Sequence, residues 1–205
     1  MNAGKREDKS VGASMEEAIV RINELKPKYV FLTAKSGTGK MYLSSRLIGY
    51  EVLELDEVVK KPAAFKIYKN ALPAPVMDAF VTNVHSFFRQ YPNTPIVVEG
   101  AIADAALIKR IFAGPYAEFV LVYLYPVDVE AYASRMLKRF KHEKENGIRS
   151  LSIWPEVTPQ VEEAAYDSIE LNQFMQRMAR QSMTRSAQRY GYFEENGLDM
   201  VRVDV

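Results

Sequence analysis

Tyr29-Val-Phe-Leu-Thr33, running into Ala34-Lys-Ser-Gly-Thr-Gly-Lys-Met41, is the stretch that decides the fold. The first five residues are aromatic, β-branched or apolar and predict a buried strand. A helical pattern follows the glycine-rich segment, running through Leu47. Between strand and helix, Gly37 and Gly39 let the backbone turn its N–H groups inward around phosphate oxygens. The dipole of the following helix would add to that concavity, and Lys40 would reach the outer phosphates. Lys35, Ser36, Gly37, Thr38, Gly39, Lys40 and Met41 are therefore the candidate phosphate-binding residues. The plainer reading is a strand-to-helix turn with a solvated lysine; the strand on one side and the helix on the other favour phosphate.

Outward from this loop, apolar runs alternate with helical patterns. Ser14 and Glu17 have capping-box spacing, and Ala18, Ile19, Ile22 and Leu25 recur at helical intervals up to Pro27. Residues 52–55 predict a second strand ending at Asp56. Pro62, Pro73 and Pro75 break the stretch before a helix over about 76–89. Residues 95–99 predict a third strand stopped by Gly100, with a short helix over 104–112 behind it. Residues 119–124 predict a fourth strand, and helical periodicity runs from Asp128 to about Glu145. After a loop over 147–155, Thr158 and Pro159 suit the start of one long helix reaching about Tyr190. Residues 200–203 predict a fifth strand. Strands apolar along their whole length, alternating with helices, imply an α/β fold with a parallel five-stranded sheet covered on both faces. Ligands of such sheets bind at the carboxyl ends of the strands, where Thr33, Asp56, Glu99 and Tyr125 fall.

Composition removes whole classes of chemistry. A chain of 205 residues suits one domain, here 14–205, preceded by a mobile tail over 1–13. Lys plus Arg number 27 against 26 Asp plus Glu, so a uniformly basic, nucleic-acid-coating chain is excluded, though a local patch is not. The absence of cysteine excludes disulfides, zinc–thiolate sites, iron–sulfur clusters and cysteine nucleophiles. His85 and His142 are too few for a histidine-rich metal centre. The longest apolar run, 119–125, is far short of a membrane span, and the N-terminus lacks the apolar core of a signal peptide. A soluble, cytoplasmic protein with no membrane partner is expected. Oligomeric state is not legible.

With this loop, acids at strand ends and a basic helix after the fourth strand, the chain resembles the P-loop kinases of the nucleoside, nucleotide and shikimate-kinase type, over nearly all of 28–205. The resemblance implies ATP and Mg²⁺, an acceptor-side segment over about 57–92 and a helical lid over about 135–158. Ala34 stands where the pattern has its first glycine. Met41 replaces the Ser or Thr whose hydroxyl meets Mg²⁺, and a thioether is a poor ligand for a hard cation. Ser44 and Ser45 lie too far along the helix to substitute. The family has an acid at Asp56 that faces the acceptor hydroxyl as general base; an N-cap aspartate is the structural alternative. Glu99 stands at the Walker B position and, with Asp56, is a candidate Mg²⁺ holder, Gly100 leaving room for a ligand; capping the next turn is its alternative. Arg135 and Arg139 share a helix face at i and i+4 and would clamp the transferred phosphoryl group, unless they form a solvated basic face. Lys40, Asp56, Arg135 and Arg139 are thus the candidate catalytic set.

Lys141, His142, Lys144 and Arg149 fit a basic lid loop. Arg177, Arg180, Arg185 and Arg189 give the last helix a basic face that is either merely solvated or in contact with the nucleotide or a polyanionic acceptor. Phe65, Tyr68 and Trp154 read as packing, and Met175, Met178 and Met183 as core filler. The resulting expectation is an ATP-dependent kinase acting on a hydroxyl or phosphate of a nucleoside, nucleotide or nucleic acid. A hydroxymethylated base in DNA, flipped out of the duplex, is a distinct acceptor within that class. A nucleotide-binding regulator without transfer chemistry, suggested by Met41, is the alternative of another class.

Overall fold

A strand covered on both faces shows no polar–apolar alternation, because both sets of side chains need apolar partners. The computed structural model describes residues 12–59, 64–149 and 153–205, with side chains omitted at 64 and 65. Its elements run β1 (Ala13–Ser14), α1 (Met15–Leu25), β2 (Tyr29–Thr33), α2 (Lys40–Ser44), β3 (Glu51–Glu54), α3 (Leu55–Val58), α4 (Ala64–Tyr68) and α5 (Ala74–Gln90). Then follow β4 (Ile96–Gly100), α6 (Ala105–Ile111), β5 (Phe119–Tyr125), α7 (Val129–Glu145), α8 (Pro159–Glu163), α9 (Ile169–Glu195) and β6 (Met200–Asp204). The strands form one sheet in the order β1-β6-β5-β2-β4-β3, and every pairing is parallel.

The sheet sorts its side chains by parity. Tyr29, Phe31, Ile96, Val98, Leu121 and Tyr123 enter one core with α5, α6 and the end of α9. Val30, Leu32, Val97, Val122 and Leu124 enter a second core with α1 and Leu43 of α2. A third apolar cluster joins α7 to α9 through Tyr132, Met136, Phe140, Phe174, Met175 and Met178, with Val161 of α8. The expected α/β arrangement, with a parallel sheet and helices on both faces, holds.

Three boundaries differ from the sequence reading. Among the described residues the sheet has six strands, not five. The additional β1 is two residues long, held against β6 by register and by the Gly12 N–H donating to Asp204 Oδ2 at 2.9 Å. The helix expected through Leu47 stops at Ser44, because the Ser44 and Ser45 hydroxyls bond the Met41 and Tyr42 carbonyls at 3.3 and 2.9 Å and compete with the ladder. The single long helix after Thr158 is two helices. Thr158 caps α8, and Ser168 starts α9 by accepting the Leu171 N–H at 3.2 Å. The Ser14–Glu17 capping box forms as expected. Most of the tail expected over 1–13, part of the 57–92 and 135–158 segments and the Phe65 side chain lie outside the described residues. Among the described residues no helix is long and apolar enough to cross a membrane.

Candidate phosphate-binding cleft

β2 sits at the centre of the sheet and hands the chain to the glycine loop at Thr33. Gly37 and Gly39 have φ of +80° and +100°, where any side chain would be strained. Thr38 is buried and donates to the Lys35 carbonyl at 2.8 Å, while Tyr132 of α7 donates to the Ser36 carbonyl at 2.8 Å. The loop is thus shaped from within and braced from outside by α7. With α2 only five residues long, the loop amides rather than a long helix dipole dominate the local positive potential.

Lys40 lies beneath this loop. Its ammonium donates long bonds to the Ala34 and Lys35 carbonyls, at 3.5 and 3.4 Å, and makes no ion pair among the described residues. Burial pulls its pKa down to about 8, against the opposing pull of the Glu99 carboxylate. Burial likewise lowers Lys35 to about 8, with Arg189, Arg185 and Lys69 pushing the same way.

Of the residues predicted from sequence, Ser36, Gly37, Gly39, Lys40, Met41, Asp56, Glu99, Arg135 and Arg139 line one cleft of about 310 Å³. Lys35 and Thr38 stand behind it. On the cation side, Arg135 has its Nε and Nη2 buried with no hydrogen-bond partner, and its guanidinium stands 5.8 Å from the Tyr132 ring. Arg139 also lines the cleft while its Nε pairs with Glu143 at 2.9 Å.

Three acids line the same cleft. Asp56 is exposed in the first turn of α3, not at a strand end, and its Oδ1 accepts the Tyr68 hydroxyl. It is no N-cap: that position is Glu54. Glu99 is 5% exposed within β4, and its Oε1 has no hydrogen-bond partner. Burial raises its pKa, while the Ser44 hydroxyl and Lys40 pull it down. Ser44, set aside from sequence as too distant, therefore adjoins Glu99. Glu54 pairs in register with Glu99 and completes the acidic wall. Gly100 lines the cleft, and its missing side chain has a second use. A Cβ there would stand 2.5 Å from Leu55 Cδ1, so the missing side chain admits Leu55.

Among the described residues no group of three or more acids and histidines is gathered to hold a metal alone. Mg²⁺ commonly uses one or two carboxylates together with phosphate oxygens, and the orphaned Glu99 oxygen suits that partial role. Met41, 67% exposed, offers only its thioether. Sequence reasoning missed Glu54, Tyr68 and Tyr132 as site residues. Glu54 follows from strand register, but the two tyrosines contact the site only through tertiary packing that no local pattern encodes.

No family model and no curated protein matches the chain. Among solved structures it is similar to a sugar kinase from Janibacter sp. HTCC2649, at 12% identity and TM-score 0.46, covering 87% of this chain and 84% of that one. It is similar to a gluconokinase from Sinorhizobium meliloti 1021, at 15% identity and TM-score 0.40, covering 81% and 97%. A shikimate kinase from Acinetobacter baumannii in complex with shikimate matches at 15% identity and TM-score 0.35, covering 88% and 99%. All three are kinases.

Proposed function

We propose that the cleft binds the phosphate tail of ATP and transfers its γ-phosphoryl group to an acceptor hydroxyl or phosphate. The observation behind this is Arg135: a guanidinium with two buried, unpartnered nitrogens, set in the same cleft as Lys40 and Asp56. Leaving buried donors unsatisfied is costly, and an anion in the cleft relieves that cost. The loop amides and Lys40 neutralise the β- and γ-phosphates. Arg135 and Arg139 meet the charge on the equatorial oxygens. Asp56 orients the acceptor and takes its proton as the acceptor oxygen bonds to the γ-phosphorus and the bond to the β–γ bridging oxygen breaks, releasing ADP. Glu99, with Asp56, would hold Mg²⁺, which would supply charge neutralisation at the phosphates. The segment over about 135–158 acts as lid and 57–92 as acceptor side, in a domain over 14–205 working in the cytoplasm.

The acceptor we propose is a nucleoside, nucleotide or nucleic acid, including a hydroxymethylated base in DNA. Lys69, Arg185 and Arg189 lie within electrostatic reach of Lys35 in the loop, and Arg189 Nη1 donates to the cleft-lining Ala101 carbonyl at 3.4 Å. That side suits an anionic acceptor. Transfer of labelled γ-phosphate to nucleosides, nucleotides, small alcohols and hydroxymethylated DNA tests the reading. Transfer abolished by Asp56→Asn is expected, and a variant with full turnover removes Asp56 as base. One observation favours a second reading: Met41 presents no hydroxyl to a metal. ATP binding with no turnover on any acceptor would support a nucleotide-binding regulator.

A further inference from the structure

Two carboxylates are buried among the described residues, Glu99 and Glu143. Glu99 belongs to the cleft. Glu143, 2% exposed near the end of α7, does not line it and takes no part in the chemistry above. A carboxylate is seldom buried unless charged or donating partners hold it, and the partners of Glu143 include two of different origin among the described residues. Its Oε1 pairs with Arg139 Nε at 2.9 Å, one helical turn back, and its Oε2 accepts the Trp154 indole N–H at 2.6 Å. Trp154 belongs to the segment that returns from α7 toward α8, packs on Phe140 with ring centroids 4.8 Å apart, and lies under the Arg149 guanidinium at 5.0 Å. Arg149 in turn pairs with Glu162 of α8 at 2.7 Å.

We infer that Glu143 is the positioning residue for Arg139, holding its guanidinium by Nε in the cleft, with Trp154 fixing Glu143 so that the returning segment and the phosphate clamp form one unit. The inference rests on the reading of the cleft as a triphosphate site. An arginine side chain free to sample many rotamers would give up that entropy on meeting phosphate. One anchored at Nε by a buried carboxylate has given it up on folding. The carboxylate also keeps the fork aimed, which matters because small misplacements of a clamp cost large factors.

ATP binding to the full-length protein, followed by calorimetry, tests this without needing the acceptor. Arg139→Ala is expected to weaken ATP binding about tenfold or more, and Glu143→Gln, which keeps shape and removes charge, by a similar factor. The double variant should bind no more weakly than Arg139→Ala alone, since Glu143 acts only through Arg139. A merely structural carboxylate would give additive losses. Trp154→Phe guards against misfolding of the glutamine variant: it keeps the ring and should weaken binding about threefold, an effect absent in the Arg139→Ala background. Wild-type affinity in Glu143→Gln, tighter binding, additive losses, or no effect of Arg139→Ala each overturns the inference while leaving the cleft reading intact. No ATP binding by the wild-type protein overturns both.

Discussion

Lys35 and Lys40 are lysines whose pKa values burial brings down to about 8. An unfolded chain returns both to about 10.5, so between these values the unfolded state binds more protons and stability rises with pH. Triphosphate binding has the opposite sign, because the phosphates need both ammonium groups and the free protein loses them as pH passes 8. From pH 8 to 9.5, denaturant unfolding without nucleotide should show a rise in stability. Over the same window, ATP affinity should fall by up to about tenfold per pH unit for each lysine that must be reprotonated. An ATP affinity flat across that range would remove both lysines from the site. Arg135 makes the same conflict permanent. Replacing it with Met removes two unsatisfied buried donors, so Arg135→Met should be about 1 kcal/mol more stable to urea while losing most of its ATP affinity. A variant both less stable and still binding would show that its guanidinium serves the fold.

At the scale of elements, Gly100 couples β4 to α3. Leu55 is fully buried and occupies the space where a Cβ at residue 100 would stand, and Asp56 follows it on α3. Gly100→Ala forces Leu55 to move and should cost about 1–3 kcal/mol in urea unfolding, as overpacking does. Because the displaced helix bears Asp56, phosphoryl transfer should fall further than ATP affinity; equal losses in both would mean that α3 does not aim the base. This coupling also marks how far sequence reading goes. Strands β2, β4 and β5 were legible because both parity classes are apolar, and the loop was legible because glycine is the residue that takes positive φ cheaply. Helical spacing put Arg135 and Arg139 on one face and a strand end singled out Glu99, while their roles came from the resemblance to P-loop kinases. What escaped has non-local causes. β1 is too short for any periodicity, α2 is cut by serine hydroxyls, and Gly100 faces a leucine 45 positions earlier in the chain (100 − 55 = 45). Glu143 reads in sequence as one more charge on an amphipathic helix, although the fold buries it.

On the scale of the molecule, the strand order places β2 between β4 and β5, where successive crossovers leave the sheet in opposite directions, and the cleft opens at that switch. Its walls come from parts anchored in different cores: α3 and β4 in one, α2 in the second, and Arg135 and Arg139 on α7, whose apolar face belongs to the third. The first two clusters share the strands of the sheet, and α9 joins the third to the first, from Leu171 to Phe193; a triphosphate bridging these walls adds contacts among all three. The unliganded protein, with like charges and unpaired donors facing the cleft, lacks those ties. ATP at a hundredfold excess over its Kd stabilises by about 2.7 kcal/mol if it binds only the folded chain. For a protein of this length that corresponds to a rise in melting temperature of roughly 5–10 °C. The rise should vanish in Lys40→Ala and shrink in Arg135→Met, substitutions on two different elements that line the cleft. A melting temperature unmoved by ATP or GTP, with and without Mg²⁺, would mean that the walls do not close on a nucleotide, and the cation cluster would then need a different anion to account for it.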